Sequence, residues 1–305
     1  MAVVSQEAAF IAALRACPLH PGARDLRDDT ATLDIGETTL VLTVDSMVEG
    51  KHWLPGADMA DVAWKLMATT LSDLAAKGAD PIGVLLSHSL GPDDERFLAG
   101  LQEALAAHDV PLLGGDTVAG AGTRTFSCTA IGEATCRPVP FRASARVGDM
   151  IGICGTIGAA YLGFLHMTDV HGGRTSDPAN VAAFTRPRPL LREGRALASG
   201  VHAMMDVSDG LYLDAHRMAE ASSTTFALDL AAVPFARGLA SAGGDLALRD
   251  AACRWGDDYA LLFTAPSTFA PSVPFHRIGT VEARGNHVLL VNGAPVQGEL
   301  GYQHG

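Results

Sequence analysis

The sequence predicts a two-domain α/β (α+β) protein. Three observations carry this. The chain has 305 residues, 48% of them hydrophobic, which is enough for two cores. Strand-like and helix-like periods are mixed in both halves. The composition changes at Arg137-Pro138-Val139-Pro140, so an N-terminal domain over 1–137 and a C-terminal domain over 138–305 are expected.

Residues 7–16 read as an amphipathic helix, and the β-branched run 39–44 as a buried strand. Residues 60–77 read as a helix, because Trp64, Met67, Leu71, Leu74 and Ala75 recur at three- and four-residue steps. Gly78 and Pro81 end it. Residues 82–89 read as a strand and 93–108 as a helix opened by Asp93 and Asp94. Strands are expected near 110–113 and 123–134, the first followed by Gly114-Gly115. In the second half, 149–154 reads as a strand, 157–167 as a helix and 168–189 as a loop. Helix 190–199, strand 202–207, helix 211–221 and strand 224–229 follow, then strands at 259–264, 275–282 and 287–291.

Composition excludes several functions. The formal net charge is −12 without a basic cluster, so nucleic-acid binding is not expected. Five cysteines lie at 17, 128, 136, 154 and 253 without a CxxC pair, which fits a reduced, cytoplasmic setting. The uncharged stretch Met150 to Leu165 is shorter than the span of about 20 residues that crosses a bilayer. Its glycines read as strand, turn and buried helix, so no membrane association is expected.

Six short aspartate-bearing segments punctuate this framework. They are Asp28-Asp29, Thr43-Val44-Asp45, Leu71-Ser72-Asp73, Gly114-Gly115-Asp116-Thr117, Asp206-Val207-Ser208-Asp209-Gly210-Leu211 and Gly256-Asp257-Asp258-Tyr259. Each has a plain reading. Asp28-Asp29 suits a turn or cap, Asp45 a solvated strand end, Asp73 an ion pair with Lys77, and Gly114-Gly115-Asp116 a tight turn. The segment at 206–211 is the most specific. It sets two aspartates and a serine around one strand-to-helix turn, where Ser208 or Asp209 can cap the helix. Carboxylates embedded in apolar structure are costly alone and become tolerable on shared divalent cations. Hard oxygen ligands without a Cys/His pattern favour magnesium, which usually accompanies phosphate chemistry. The familiar nucleotide loops are missing. The only lysines, Lys51, Lys65 and Lys77, complete no GxxxxGK(S/T), and neither HExxH nor GxSxG occurs.

Taken in order, these segments resemble the thiamine-monophosphate kinase family, of the superfamily that includes aminoimidazole ribonucleotide synthetase and selenophosphate synthetase. The resemblance is carried by Asp28-Asp29-Thr30-Ala31-Thr32-Leu33, the run from Asp45 to Trp53, the run from Leu71 to Pro81 and Gly114-Gly115-Asp116-Thr117. It continues through Arg142 to Gly148-Asp149, Asp206 to Leu211, Gly256-Asp257-Asp258-Tyr259 and Gly301-Tyr302. It implies ATP-dependent phosphorylation of thiamine monophosphate to thiamine diphosphate. It also implies a homodimer formed through the N-terminal sheet, with a C-terminal domain covering the nucleotide cleft. By matching position, Asp29, Thr43, Asp45, Asp73, Asp116, Asp206 and Asp209 would hold several Mg²⁺ ions. Thr43, Gly115, Asp116, Arg142 and Ser208 would contact ATP, with Asp209 and Arg142 closest to the chemistry. His52, Asp257 and Tyr302 would line the thiamine phosphate site. A phosphate monoester is largely deprotonated near pH 7, so no strong general base is needed. The chain departs from the family pattern in carrying Arg27, Val44 and Trp255-Gly256-Asp257-Asp258-Tyr259-Ala260, the last shortening one substrate-side carboxylate and removing another. Two alternatives stand beside this reading: a superfamily relative using ATP on a different acceptor, and an ATP-binding protein without turnover.

Overall fold

A computed structural model describes residues 6–120, 122–168, 177–239 and 246–303. Part of the loop expected at 168–189 therefore lies outside the described residues. Helix α1 (Gln6–Leu14) buries none of its residues, so the expected amphipathic face is not packed. Strand β1 (Ala31–Ile35) pairs antiparallel with β2 (Thr38–Val48). Strand β2 outruns the predicted 39–44, so Asp45 sits inside a strand and opposite Cys128 rather than at a strand end. Helix α2 (Met59–Ala75) starts where the Asp58 carboxylate accepts the Ala60 N–H at 2.9 Å. Strand β3 (Ala79–Ser89), helix α3 (Asp94–His108), strand β4 (Leu112–Val118) and strand β5 (Thr125–Ala134) complete the first half.

These five strands form one sheet in the order β1-β2-β5-β3-β4. The inward residues of β2 and β5, such as Val41, Met47, Phe126 and Cys128, pack on Val62, Leu66, Phe97 and Leu101 of α2 and α3. Among the described residues no helix covers the opposite face: Val44 is 62% and Leu85 38% exposed. Gly114 and Gly115 do not form the tight turn of the plain reading but lie within edge strand β4, where Gly115 pairs with Leu86. A Cβ on Gly115 would lie 1.9 Å from the Leu86 carbonyl oxygen, so that glycine serves the close approach of two strands.

The second half begins with β6 (Met150–Cys154) and α4 (Ala159–Met167), the strand-turn-helix expected there. The predicted loop contains α5 (Pro178–Thr185), which Asp177 caps by accepting the Ala179 N–H. Then come α6 (Leu191–Ala198), β7 (Ala203–Asp206), α7 (Leu211–Ala221) and β8 (Thr224–Leu228). Helix α8 (Leu246–Arg254) was not expected, and β9 (Leu261–Ala265), β10 (His276–Ala283), β11 (Leu289–Val291) and β12 (Ala294–Pro295) finish the chain. The second sheet runs β12-β11-β8-β10-β6-β9-β7. Its core joins Ile151, Ile153, Met205 and Leu262 to Leu211, Tyr212 and Met218 of α7. Among the described residues, no helix is long and apolar enough to cross a membrane.

Candidate active site

Helix α2 lies along the junction of the two halves and presents Lys65, Thr69 and Asp73 to a cavity of ≈ 490 Å³. The four-residue steps place these three on one helical face. The inward stripe of β2 is apolar at Val41 and Met47 but carries Thr43 and Asp45 between them. From the second half, β7 ends at Asp206, and the turn to α7 brings Ser208 and Asp209 to the cavity wall. The stretch before β9 packs against this turn. The Asp257 N–H donates to the Ser208 carbonyl at 2.9 Å, and the Tyr259 N–H to the Val207 carbonyl at 2.8 Å. A Cβ on Gly256 would lie 2.0 Å from the Ser208 carbonyl oxygen. The C-terminal segment closes the same side, its Tyr302 N–H donating to the Asp209 carbonyl at 2.9 Å.

The acidic groups meet. Asp29, Asp73 and Asp206 each offer a carboxylate oxygen, and these oxygens lie within 4.8 Å of one another. Their surroundings differ sharply. Asp29 is held by Arg142 and by Lys77 at 2.8 Å. Burial alone would raise its pKa, but Arg142 and Lys77 bring it well below the usual carboxylate range. Asp73 has the Thr43 hydroxyl, and Asp206 the Ser72 hydroxyl at 2.6 Å. Burial pushes both carboxyls well above their ordinary value; nearby carboxylates add to it, Asp45 chiefly for Asp73 and Asp29 chiefly for Asp206. Burial likewise brings Asp45 to about 6.

The expected capping by Ser208 or Asp209 does not occur. Gly210 is the N-cap of α7 and makes no side-chain capping bond. The Asp209 N–H is bound by Asp214 at 3.0 Å, and the Asp209 carboxylate pairs with Arg217. Lys77 does not pair with Asp73 at the i,i+4 step; it reaches Asp28 at 2.7 Å and Asp29. Asp28 and Asp29 are consequently side chains of the interior rather than of an exposed turn.

Of the candidates read from the sequence, Asp45, His52, Asp73, Asp206, Ser208, Asp209, Asp257 and Tyr302 line the cavity. Asp29 and Thr43 join it through Asp73, and Arg142 through Asp29. His52 accepts the Val48 N–H on Nδ1 at 2.9 Å. Gly115 and Asp116 are not among the lining residues. Strand β4 is three strands from β2, roughly 14 Å at normal strand spacing. Asp257 faces the cavity, bonded by Lys65 at 2.7 Å and by the Tyr259 hydroxyl at 2.8 Å. Asp258 turns away and accepts the Gly158 N–H at 2.9 Å in front of α4. Ala260 lies in the second core, so its position is not on the substrate side. Sequence reasoning missed Lys65 and Thr69. The spacing of Lys65 and Thr69 from Asp73 was the available signal.

The chain matches known proteins over the same regions. The AIR synthase related protein N-terminal domain matches residues 27–134, and the corresponding C-terminal domain residues 146–267. The thiamine-monophosphate kinase of Escherichia coli is 34% identical, over 91% of this chain and 90% of its own. The solved thiamine-monophosphate kinase of Stenotrophomonas maltophilia is 31% identical with a TM-score of 0.74, covering 90% of this chain and 95% of its own. A solved complex of AaThiL with AMPPCP and TMP has a TM-score of 0.81 at 27% identity, covering 90% of each chain. With two matching domains, a shared fold and a relative aligned nearly end to end, the chain belongs to the AIR synthase related family and, within it, to the thiamine-monophosphate kinases.

Proposed function

We infer that the protein is an ATP-dependent kinase that transfers the γ-phosphoryl group to thiamine monophosphate, releasing thiamine diphosphate and ADP. The observation that carries this is the meeting of acidic side chains from both halves at one cavity, in a chain aligned nearly end to end with kinases of that name. The related AaThiL has been solved with AMPPCP and TMP together, which supports ATP and thiamine monophosphate as the two ligands here.

The donor set fits magnesium. It consists of carboxylate and hydroxyl oxygens, the ligands hard cations take. Among the described residues, Asp73 and Asp206 bond only hydroxyls and have no positive partner, and burial raises both of their pKa values. Asp29, Asp45, Asp73, Asp206 and Asp209, with Thr43 beside them, would hold the ions. Bound there, Mg²⁺ would screen the repulsion between two phosphorylated ligands and align them for in-line transfer. Arg142 supplies a fixed positive fork beside Asp29, and Ser208 lies at the cavity wall where ATP would be reached. His52, Asp257 and Tyr302 form the acceptor side, Tyr302 offering an aromatic face to a cationic thiazolium ring. The reading places the protein in the cytoplasm.

The test is purified protein with ATP, Mg²⁺ and thiamine monophosphate, followed by chromatography for thiamine diphosphate. Product is expected. ADP release with another phosphorylated or amide acceptor, and none with thiamine monophosphate, would overturn the substrate assignment. ATP binding without turnover on any acceptor would make the protein a binder.

The homodimer belongs to the same proposal. Val44, Thr129 and Leu85 stand in register across three strands on the face that no helix covers. Exposed apolar rows of this kind favour a second chain. Gly115 and Asp116, if they contact nucleotide, do so across that dimer. The double variant Val44→Glu, Leu85→Glu is expected to sediment at the mass of one chain, and the wild type at two. A monomeric wild type at micromolar concentration would remove the dimer.

A further inference from the structure

The acidic cluster has a filled side and an open side. On the filled side, Lys77 is entirely buried just past the end of α2. Its ammonium donates to Asp28 Oδ1 at 2.7 Å, Asp29 Oδ2 at 2.8 Å and the Met204 carbonyl at 3.0 Å. Three donors thus meet three oxygens, which is full satisfaction for a lysine head group. The other oxygens of the two aspartates are also taken: Arg24 bonds Asp28 Oδ2, and Arg142 bonds Asp29 Oδ1. On the open side, Asp73 and Asp206 bond hydroxyls and, among the described residues, no protein cation.

We propose that Lys77 is a resident cation of this cluster, which occupies an oxygen of Asp29 and so weakens the hold of the nucleotide-free site on divalent ions. The inference rests on the metal reading given above. Asp29 lies within 4.8 Å of Asp73 and Asp206, so an ion bridging the three must share Asp29 with the ammonium. A fixed positive charge at that range opposes the ion directly, and it does so inside the protein, where salt screens little. Lys77 also keeps Asp28 and Asp29 in place before any ion arrives, as its bond to Met204 ties them to β7 of the second half. The cluster is therefore set to take its ions weakly by itself and more firmly when phosphate oxygens add ligands. Lys77 is in this sense a positioning residue, not a group that touches the reacting atoms.

The sign of one measurement separates this from a structural lysine. Mn²⁺ binding, followed by electron paramagnetic resonance without nucleotide, is compared in the wild type and in Lys77→Met. The variant is expected to bind Mn²⁺ at least about tenfold more tightly, and Mg²⁺ is expected to raise its melting temperature more than that of the wild type. Unchanged or weaker binding in the variant overturns the proposal. Lys77→Gln, which removes the charge and keeps a shorter side chain with two N–H donors, is the second variant should Lys77→Met fail to fold. It is expected to tighten Mn²⁺ binding too, and an unaltered affinity there also overturns the proposal. Equal binding by wild type and variants leaves the metal reading intact, whereas no binding by any of them removes both.

Discussion

Asp73→Asn is expected to silence the kinase while making the cation-free protein more resistant to heat. The carboxylate is part-buried at the cavity wall, bonds the Thr43 hydroxyl and faces Asp45, Asp206 and Asp29. Without a cation its charge opposes folding, since burial and like charges both disfavour the ionised form. Asparagine keeps the shape and still accepts from Thr43, but removes the charge. The melting temperature in chelator should rise by at least about 2 °C. The rate with ATP, Mg²⁺ and thiamine monophosphate should fall at least about a hundredfold, because under the proposed function charge stabilisation of phosphoryl transfer would depend on ions held at this point. Calorimetry and a coupled ADP assay check the two halves separately. A variant that is both less stable and fully active would contradict the placement of Asp73 in the ion-binding set.

Gly256→Ala is the second large effect. The added methyl would meet the Ser208 carbonyl oxygen at 2.0 Å and the Asp209 Cα at 3.2 Å. Both are parts of the backbone and cannot swing aside as a side chain does. The stretch from Gly256 to Tyr259 must then move off the turn it is bonded to, loosening the bonds from Asp257 and Tyr259. Asp257, Ser208 and Asp209 all line the cavity, so one displacement disturbs the proposed nucleotide and acceptor sides together. A shift of about 1 Å in positioning groups costs about a hundredfold in rate, and kcat/KM should fall at least that far. Stability should drop by more than about 2 kcal/mol, read from urea unfolding. Activity within about threefold of wild type would show that this contact does not set the geometry.

Much of this site was legible in the sequence, for identifiable reasons. The strand-to-helix segment Asp206 to Leu211 announces itself by its spacing, and β7 and α7 fall where the apolar pattern puts them. Helix α2 was legible for the same reason, since its apolar period is unbroken. What local pattern could not give was partnership at a distance. Lys77 stands four residues from Asp73, yet it bonds residues 49 and 48 positions away because the chain end of α2 points into the interior. Asp45 was read as a strand end because the apolar run stops at Val44. In the fold, β2 continues through polar residues because β5 pairs with it as far as Val48. Gly114 and Gly115 look like a turn in isolation, and only the neighbouring β3 makes them a strand. Helix α8 carries a mixed face and follows residues outside the described set, so no clean period marks it.

Side chains of one helix and its exit reach across to the second half, among them Lys65 to Asp257, Ser72 to Asp206 and Lys77 to the Met204 carbonyl. Each half owns a sheet and a core, but neither owns these ties. A chimera joining one half of this chain to the other half of a cousin could therefore keep both sheets intact and still be inert. Recombination within the lineage would be tolerated only where both sides of that seam come from the same parent.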